Sequence, residues 1–133
     1  MRSYHFNNLL SQRVAQSTWN TLMLGDKANL EGSGSVFDFS DIDSALQARC
    51  EAMDIHPSAV LIGDGSECEP VKWAAALRKA RVQPGNRSLR LKVQDLEVAI
   101  KEAEEGKPTV TLNFSLTRGA YATAVLRELC LWS

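Results

Sequence analysis

Apolar residues recur every three to four positions in several segments of this chain, which predicts helices. Residues 3–15 and 70–82 both have this period, which keeps apolar side chains on one helix face. The same period runs through residues 40–53. There Ser40 can cap a helix N-terminus, and Asp43 occupies the capping-box position. We therefore expect helices over these three segments.

Strict alternation of apolar and polar residues marks other segments as strands. It is clearest at residues 109–116 and is also present at 88–94. Residues 21–39 predict short strands interrupted by glycine turns. Residues 95–107 combine alternation with strong helix formers, and we expect a strand that continues into a short helical turn.

Two remaining segments have weaker patterns. Residues 54–69 contain a short apolar run among proline and glycine residues, which predicts an irregular connector. Residues 119–131 predict a turn followed by a helix.

Composition places the chain among ordinary globular proteins. It has 133 residues, of which 44% are hydrophobic and 23% are charged. This length and composition are sufficient for one hydrophobic core. No apolar run approaches the roughly 20 residues of a membrane span. The first five residues are not followed by the apolar segment of a signal peptide. We expect a cytoplasmic protein with no membrane partner. The odd number and wide spacing of Cys50, Cys68 and Cys130 fit no disulfide framework, and we expect Cys50 and Cys130 in the core.

Charge is unevenly distributed although the net charge is only −1. Residues 38–69 carry eight acidic side chains against one basic side chain, Arg49. Residues 71–94 contain no acid and seven basic residues, which are Lys72, Arg78, Lys79, Arg81, Arg87, Arg90 and Lys92. Either this segment forms a positive surface for a phosphate backbone, or the two segments are solvated faces that complement each other.

No complete catalytic or metal-binding motif is present. Residues 63–68 begin like a dinucleotide-binding loop but lack the third glycine. His5 and His56 are the only histidines, and neither has a recognised ligand pattern around it. There is no nucleophile elbow. We expect no metal and no cofactor.

Residues 118–129, RGAYATAVLREL, have an unusual composition for a terminal helix. Gly119 permits close backbone approach, and the free N–H groups of a helix start lie beside Tyr121. Tyr121 could present its ring to a planar ligand, or it could pack in the core.

Four segments of this chain resemble one enzyme family. Residues 112–129, LNFSLTRGAYATAVLREL, are similar to the C-terminal signature of the tRNA pseudouridine synthase D family. Residues 3–14 resemble its Ser-Tyr-x-Phe-Asn helix. Residues 24–37 resemble its Gly-Asp-x-x-x-Leu-x-Gly-x-x-Ser-Val-Phe stretch, and residues 54–63 resemble its Ile-His-Pro-Thr-Gly-Pro-Leu-x-Gly loop. The chain departs from the family pattern at residues 58–60 and 120.

The resemblance implies an α+β fold in which a mixed sheet is flanked by helices. Residues 1–86 would be the remainder of the family's insertion domain, and residues 87–133 the C-terminal strands and helix of the catalytic domain. It also implies an isomerase that converts uridine to pseudouridine at position 13 in the tRNA D-arm without a cofactor, with an extruded base held during reaction.

The resemblance further implies roles for individual residues. Tyr121 matches the aromatic residue that packs against the uracil, with Gly119 in the turn before it and Arg127 in an Arg-Glu pair near the site. The charge distribution, and not the resemblance, gives the expected contacts to the RNA backbone, which are Lys72, Arg78, Lys79, Arg81 and Arg87.

The family's catalytic aspartate lies in a Gly-x-Lys-Asp-x-x-Ala motif that does not occur in this sequence. We therefore expect no catalytic residue in this chain and no activity from it alone. The expected partners are tRNA and either a second copy or the N-terminal portion of such an enzyme. The alternative is a stand-alone RNA-binding or self-associating module derived from the family.

Overall fold

The computed structural model describes residues 2–68, 70–102 and 106–129. The chain forms two compact units, Met1–Arg90 and Leu91–Ser133. In the described residues the helices are α1 Arg2–Ala15, α2 Ser44–Glu51, α3 Lys72–Lys79 and α4 Ala122–Leu129. The strands are β1 Lys27–Leu30, β2 Val36–Phe37, β3 Ile55–Leu61, β4 Gly85–Ser88, β5 Val93–Lys101 and β6 Thr109–Leu116.

A four-stranded antiparallel sheet organises the first unit, with the strand order β2-β1-β3-β4. Strand β3 is buried at every position except Val60. The prediction of an irregular connector over residues 54–69 is therefore wrong for residues 55–61. Pro57 lowers the strand propensity of this run. Pairing with β1 on one edge and β4 on the other overrides that local preference.

Two apolar clusters make up the core of the first unit. One joins Phe6 of α1 to Ala59 and Leu61 of β3 and to Leu89. The other contains Leu22, Ala28, Cys50 and Ile55. The expected burial of Cys50 is confirmed, and Cys130 lies outside the described residues.

Helix α2 starts later than its sequence pattern predicted. It begins at Ser44, and the Asp43 carboxylate caps it by accepting a hydrogen bond of 2.7 Å from the Leu46 backbone N–H. Ser40 is therefore not the cap. An ionised carboxylate at the helix start has the further advantage of a favourable interaction with the helix dipole.

The second unit contains the antiparallel β5–β6 ribbon and helix α4. The predicted strand over residues 88–94 is wrong in its bounds: residues 89–92 lie outside any strand, and β5 continues to Lys101. Strand β5 continues to Lys101 because its residues pair with β6 over most of their length. The helical turn expected within residues 95–107 falls partly on residues 103–105, which are outside the described residues.

The α+β class is confirmed. Every strand pairing in the described residues is antiparallel, whereas the sequence led us to expect a mixed sheet. The boundary between the two units follows Arg90, because β4 pairs with β3 in the first unit. Assignment of residues 1–86 and 87–133 to two domains of a family enzyme stays a prediction. Within the described residues, no helix is both long and apolar enough to cross a membrane.

Candidate functional site

A tight turn precedes helix α4 and positions Tyr121. The Ala120 N–H donates to the Thr117 carbonyl at 3.0 Å. Gly119 has φ +94°, a left-handed conformation that glycine adopts without a steric penalty. Helix α4 begins one residue after Tyr121, whose carbonyl accepts a hydrogen bond from the Ala124 N–H at 3.0 Å.

The Tyr121 side chain is largely exposed, so a ligand can contact its ring. The residue is 68% exposed, whereas Val125, four residues further along and within α4, is buried. Of the two alternatives left open by the sequence pattern, core packing and ring presentation, the exposure favours presentation. Arg127 is also exposed on α4.

An open cavity of about 530 Å³ lies in the second unit, beside the start of α4. Its polar lining includes Asp95, Asn113 and Ser115, and Ala122 contributes from the helix. Asp95 has φ +53° and lies at a β-bulge between Gln94 and Glu97. Bulges and left-handed non-glycine residues are enriched next to functional sites. A carboxylate, an amide and a hydroxyl together offer both donors and acceptors for the edge of a base.

The five predicted contacts to the RNA backbone all lie on the first unit and are exposed. Lys72 and Lys79 are the end residues of α3, and Arg81 follows the helix with φ +51°. The Arg78 guanidinium lies 3.7 Å from an Asp64 carboxylate oxygen. The Arg87 guanidinium lies over the Phe6 ring, 5.4 Å from its centroid. The predicted residues therefore divide between the units, with Gly119, Tyr121 and Arg127 on the second.

The first unit contains a buried polar network that the sequence pattern did not predict. The Arg90 Nε donates to His56 Nδ1 at 2.9 Å, and the other ring nitrogen, Nε2, contacts the Glu31 carboxylate. The His56 side chain is 2% exposed. Arginine has only donors, so Nδ1 must accept, and the ring proton lies on Nε2, which donates to Glu31.

Arg90 also binds three backbone carbonyls. Its Nη1 donates to Asn20 at 3.0 Å, and its Nη2 donates to Cys50 at 2.5 Å and Ile55 at 3.0 Å. Arg90 is thus half-buried and its guanidinium is directed at the buried His56 and at backbone carbonyls, although the sequence pattern grouped it with a basic surface. The hydrogen-bond partners of Arg90 lie 34 to 70 positions away in the chain, so the periodicity of the sequence does not reveal them. The only sequence feature that indicated burial was the position of His56 in an apolar run.

No cluster of three or more His, Cys, Asp or Glu side chains suited to a metal occurs in residues 2–68, 70–102 and 106–129.

Comparison with known proteins identifies the family. The family profile of tRNA pseudouridine synthase D (TruD) matches residues 1–129. The tRNA pseudouridine synthase D of Psychrobacter arcticus is 39% identical, over 96% of this chain and 36% of that relative. The one from Methylococcus capsulatus is also 39% identical, over 96% of this chain and 39% of that relative. The chain belongs to the tRNA pseudouridine synthase D family, as its motifs predicted.

A solved structure supports the same fold. A crystal structure from Methanosarcina mazei, described as a candidate tRNA pseudouridine synthase D, aligns with a TM-score of 0.68 at 21% identity. The alignment covers 96% of this chain and 36% of that structure. The chain therefore spans between a third and two fifths of the length of the proteins it matches.

Proposed function

We propose that this chain supplies one wall of the uridine site of a tRNA pseudouridine synthase. The family reaction in this proposal is conversion of uridine to pseudouridine at position 13 in the tRNA D-arm. The observation that carries the proposal is the exposed ring of Tyr121, set by the Gly119 turn within the family's C-terminal signature.

The chemistry of the site suits a base removed from its stack. An exposed aromatic ring at a helix start can stack on a flipped uracil. The cavity beside α4 offers hydrogen-bonding groups on Asp95, Asn113 and Ser115. Arg127, which is exposed on α4, would supply a positive charge for a phosphate of the bound RNA. No residue of the chain matches the family's catalytic aspartate, and we propose that the chain is inactive alone.

The inactivity is tested by incubating the purified chain with unmodified tRNA and mapping pseudouridine by chemical modification. The expected result is no conversion above that of a sample without protein. Conversion at position 13 with multiple turnovers would contradict it.

The role of Tyr121 is tested by comparing Tyr121→Ala with Tyr121→Phe. Stacking contributes about 1–3 kcal/mol per base, so Tyr121→Ala is expected to weaken tRNA binding by roughly 5- to 150-fold. Tyr121→Phe keeps the ring and is the matched control, expected within about twofold of the unchanged chain. Equal binding by all three proteins would remove Tyr121 from the site.

A second candidate function is RNA binding by the first unit alone. It is supported by the exposed basic residues on and after α3. Because binding to phosphates releases counterions, affinity for tRNA should fall steeply with salt. Changing Arg78, Lys79 and Arg81 to alanine should weaken binding and flatten the salt dependence. Lys27→Ala, which removes a half-buried lysine paired with Asp38 at 2.8 Å and lying outside the basic stretch, is the control. Absence of binding at low salt would exclude this function.

Self-association is the remaining alternative, and the second unit supports it. Leu96, Val98 and Ile100 of β5 and Val110 of β6 are all at least half exposed. Exposed apolar strands invite pairing with another chain, either a second copy or the N-terminal portion of the enzyme. We expect an oligomer by light scattering at high concentration, and a monodisperse monomer would count against it.

A further inference from the structure

Three side chains of the first unit form an aromatic cluster that connects α1 to α3. Tyr4 and His5 come from the first turn of α1, and Trp73 comes from the first turn of α3. The ring centroids of the three pairs lie 5.4 to 5.8 Å apart, and the ring planes cross at 82° to 87°. This edge-to-face arrangement is the favoured geometry for aromatic side chains. Tyr4 nevertheless remains 53% exposed, so the cluster presents an aromatic surface to solvent.

Basic residues lie on the two helices that carry this aromatic cluster and on strand β4, which contacts α1 through Arg87 and Phe6. The Arg2 Nη2 donates to the Gln83 carbonyl at 2.6 Å, which places the guanidinium beside the start of β4. Arg87 of β4 lies over Phe6, and Lys72 adjoins Trp73 in α3. Helices α1 and α3 and strand β4 contain no aspartate or glutamate. A surface that combines basic side chains with exposed rings is complementary to a polyanion that carries flat bases.

Two nitrogens in the first turn of α1 lack a hydrogen-bond partner in the part of the chain that the structure describes. They are Arg2 Nε and His5 Nε2, and both are buried. Buried polar atoms without partners are uncommon in native proteins. Arg2 Nε is a donor, and because it is buried, a phosphate oxygen or a base carbonyl would satisfy it only after the Arg2 side chain turns outward.

We propose that the aromatic cluster of Tyr4, His5 and Trp73 is a stacking platform for an unpaired base of RNA, with Arg2, Lys72 and Arg87 contacting the adjacent phosphates. An acidic peptide would match the charge but has no ring face for Tyr4. This inference deepens the RNA binding proposed for the first unit and rests on it for the nature of the partner. It is independent of Tyr121.

The test measures binding of a single-stranded uridine octamer that contains one 2-aminopurine, whose fluorescence is quenched by stacking. The variants are Tyr4→Leu, which keeps an apolar side chain without a ring face, and Tyr4→Phe, which keeps the ring. Tyr4→Leu is expected to weaken binding by roughly 5- to 150-fold and to abolish most of the quenching. Tyr4→Phe is expected to remain within about twofold of the unchanged chain in both measurements.

The phosphate contacts are tested on the same octamer. Lys72→Gln is expected to weaken binding and to reduce the slope of log affinity against log salt by about one, with the quenching at saturation unchanged. An unchanged slope would show that Lys72 does not contact a phosphate.

Thermal unfolding of each variant shows whether the fold is retained. If Tyr4→Leu unfolds the chain, Tyr4→Phe and Tyr4→His, which both keep a planar ring, must retain the quenching.

Two outcomes would overturn the platform. One is Tyr4→Leu with full affinity and full quenching. The other is binding that a heparin oligosaccharide of equal charge matches in affinity, since heparin has no bases. Tyr121→Ala separates this inference from the proposed uridine site, because quenching lost only in Tyr4→Leu comes from the platform and quenching lost only in Tyr121→Ala comes from the exposed Tyr121 ring. If Tyr121→Ala abolishes quenching and Tyr4→Leu does not, the platform fails and the uridine site stands. The reverse result supports the platform alone.

Discussion

The two units of this chain differ in how they cover their apolar side chains. In the first unit, Ile55 of β3 is completely buried between paired strands and the apolar cluster around Cys50. In the second, Ile100 of β5 belongs to an equally apolar segment and is 69% exposed. Both residues are isoleucines, but in the described residues β3 has two neighbouring strands and β5 has one. Alternation therefore identifies an apolar face, but it does not determine what covers that face.

Sheet size gives the physical reason for the difference. Strand β3 has a partner on both edges, whereas β5 and β6 pair only with each other in the described residues. A two-stranded ribbon is marginal in water unless a further layer packs on its apolar face. The first unit contains its own core, and the second presents a surface suited to a partner.

The largest effect is expected from an isoleucine-to-alanine change made in each unit. Ile55→Ala removes a fully buried side chain and should lower the free energy of unfolding by about 3–4 kcal/mol, because it leaves a cavity in the core. Ile100→Ala should change it by less than about 0.5 kcal/mol. Urea titration of both variants measures the difference. A large loss from Ile100→Ala would mean that the ribbon face is covered in solution.

Arg90→Ala should have the next largest effect and is confined to the first unit. It leaves His56 Nδ1 without its donor and also removes donors from the carbonyls of Asn20, Cys50 and Ile55. We expect a loss of about 2–3 kcal/mol. The control is Arg78→Ala, whose exposed ion pair with Asp64 should contribute no more than about 0.5 kcal/mol. Similar urea midpoints for the two variants would refute the role of the buried network.

A smaller effect is expected from Gly63→Ala. An added Cβ would lie 2.2 Å from the Pro84 backbone nitrogen, so the loop over residues 82–84 would have to shift, at about 1–3 kcal/mol. Gly85→Ala is the matched control. The nearest atom to its Cβ would be Arg2 Nη2 at 3.7 Å, an ordinary contact. If both variants melt at the same temperature, the close approach at Gly63 does not exist in solution.

The smallest effect is expected at the start of α2. Asp43→Ala removes the cap on the Leu46 N–H and should cost about 1 kcal/mol. Asp43→Asn keeps a capping oxygen and should recover most of that loss. Ser40→Ala should be neutral, because Ser40 is not the cap. Thermal unfolding of the three variants measures this, and a greater loss from Ser40→Ala would place the helix start where the sequence pattern predicted it.

The sequence by itself determined the family, the α+β class and the existence of each helix. These features follow from local periodicity and from motifs that are continuous in the chain, such as residues 112–129. The same continuity predicted a turn and helix at Tyr121, which the structure confirms. The roles of Tyr121, Gly119 and Arg127 stay predictions, because a role depends on a bound substrate.

Only the tertiary structure decided which polar residues are buried and which apolar ones are exposed. His56, in a segment that looked like a loop, lies in the central strand, and Arg90, in a segment that looked like a basic surface, binds it from 34 positions away. Ile100 has the alternation of a core strand and is exposed. Burial depends on what pairs with a segment across the fold, and no local period records a partner that is distant in the chain.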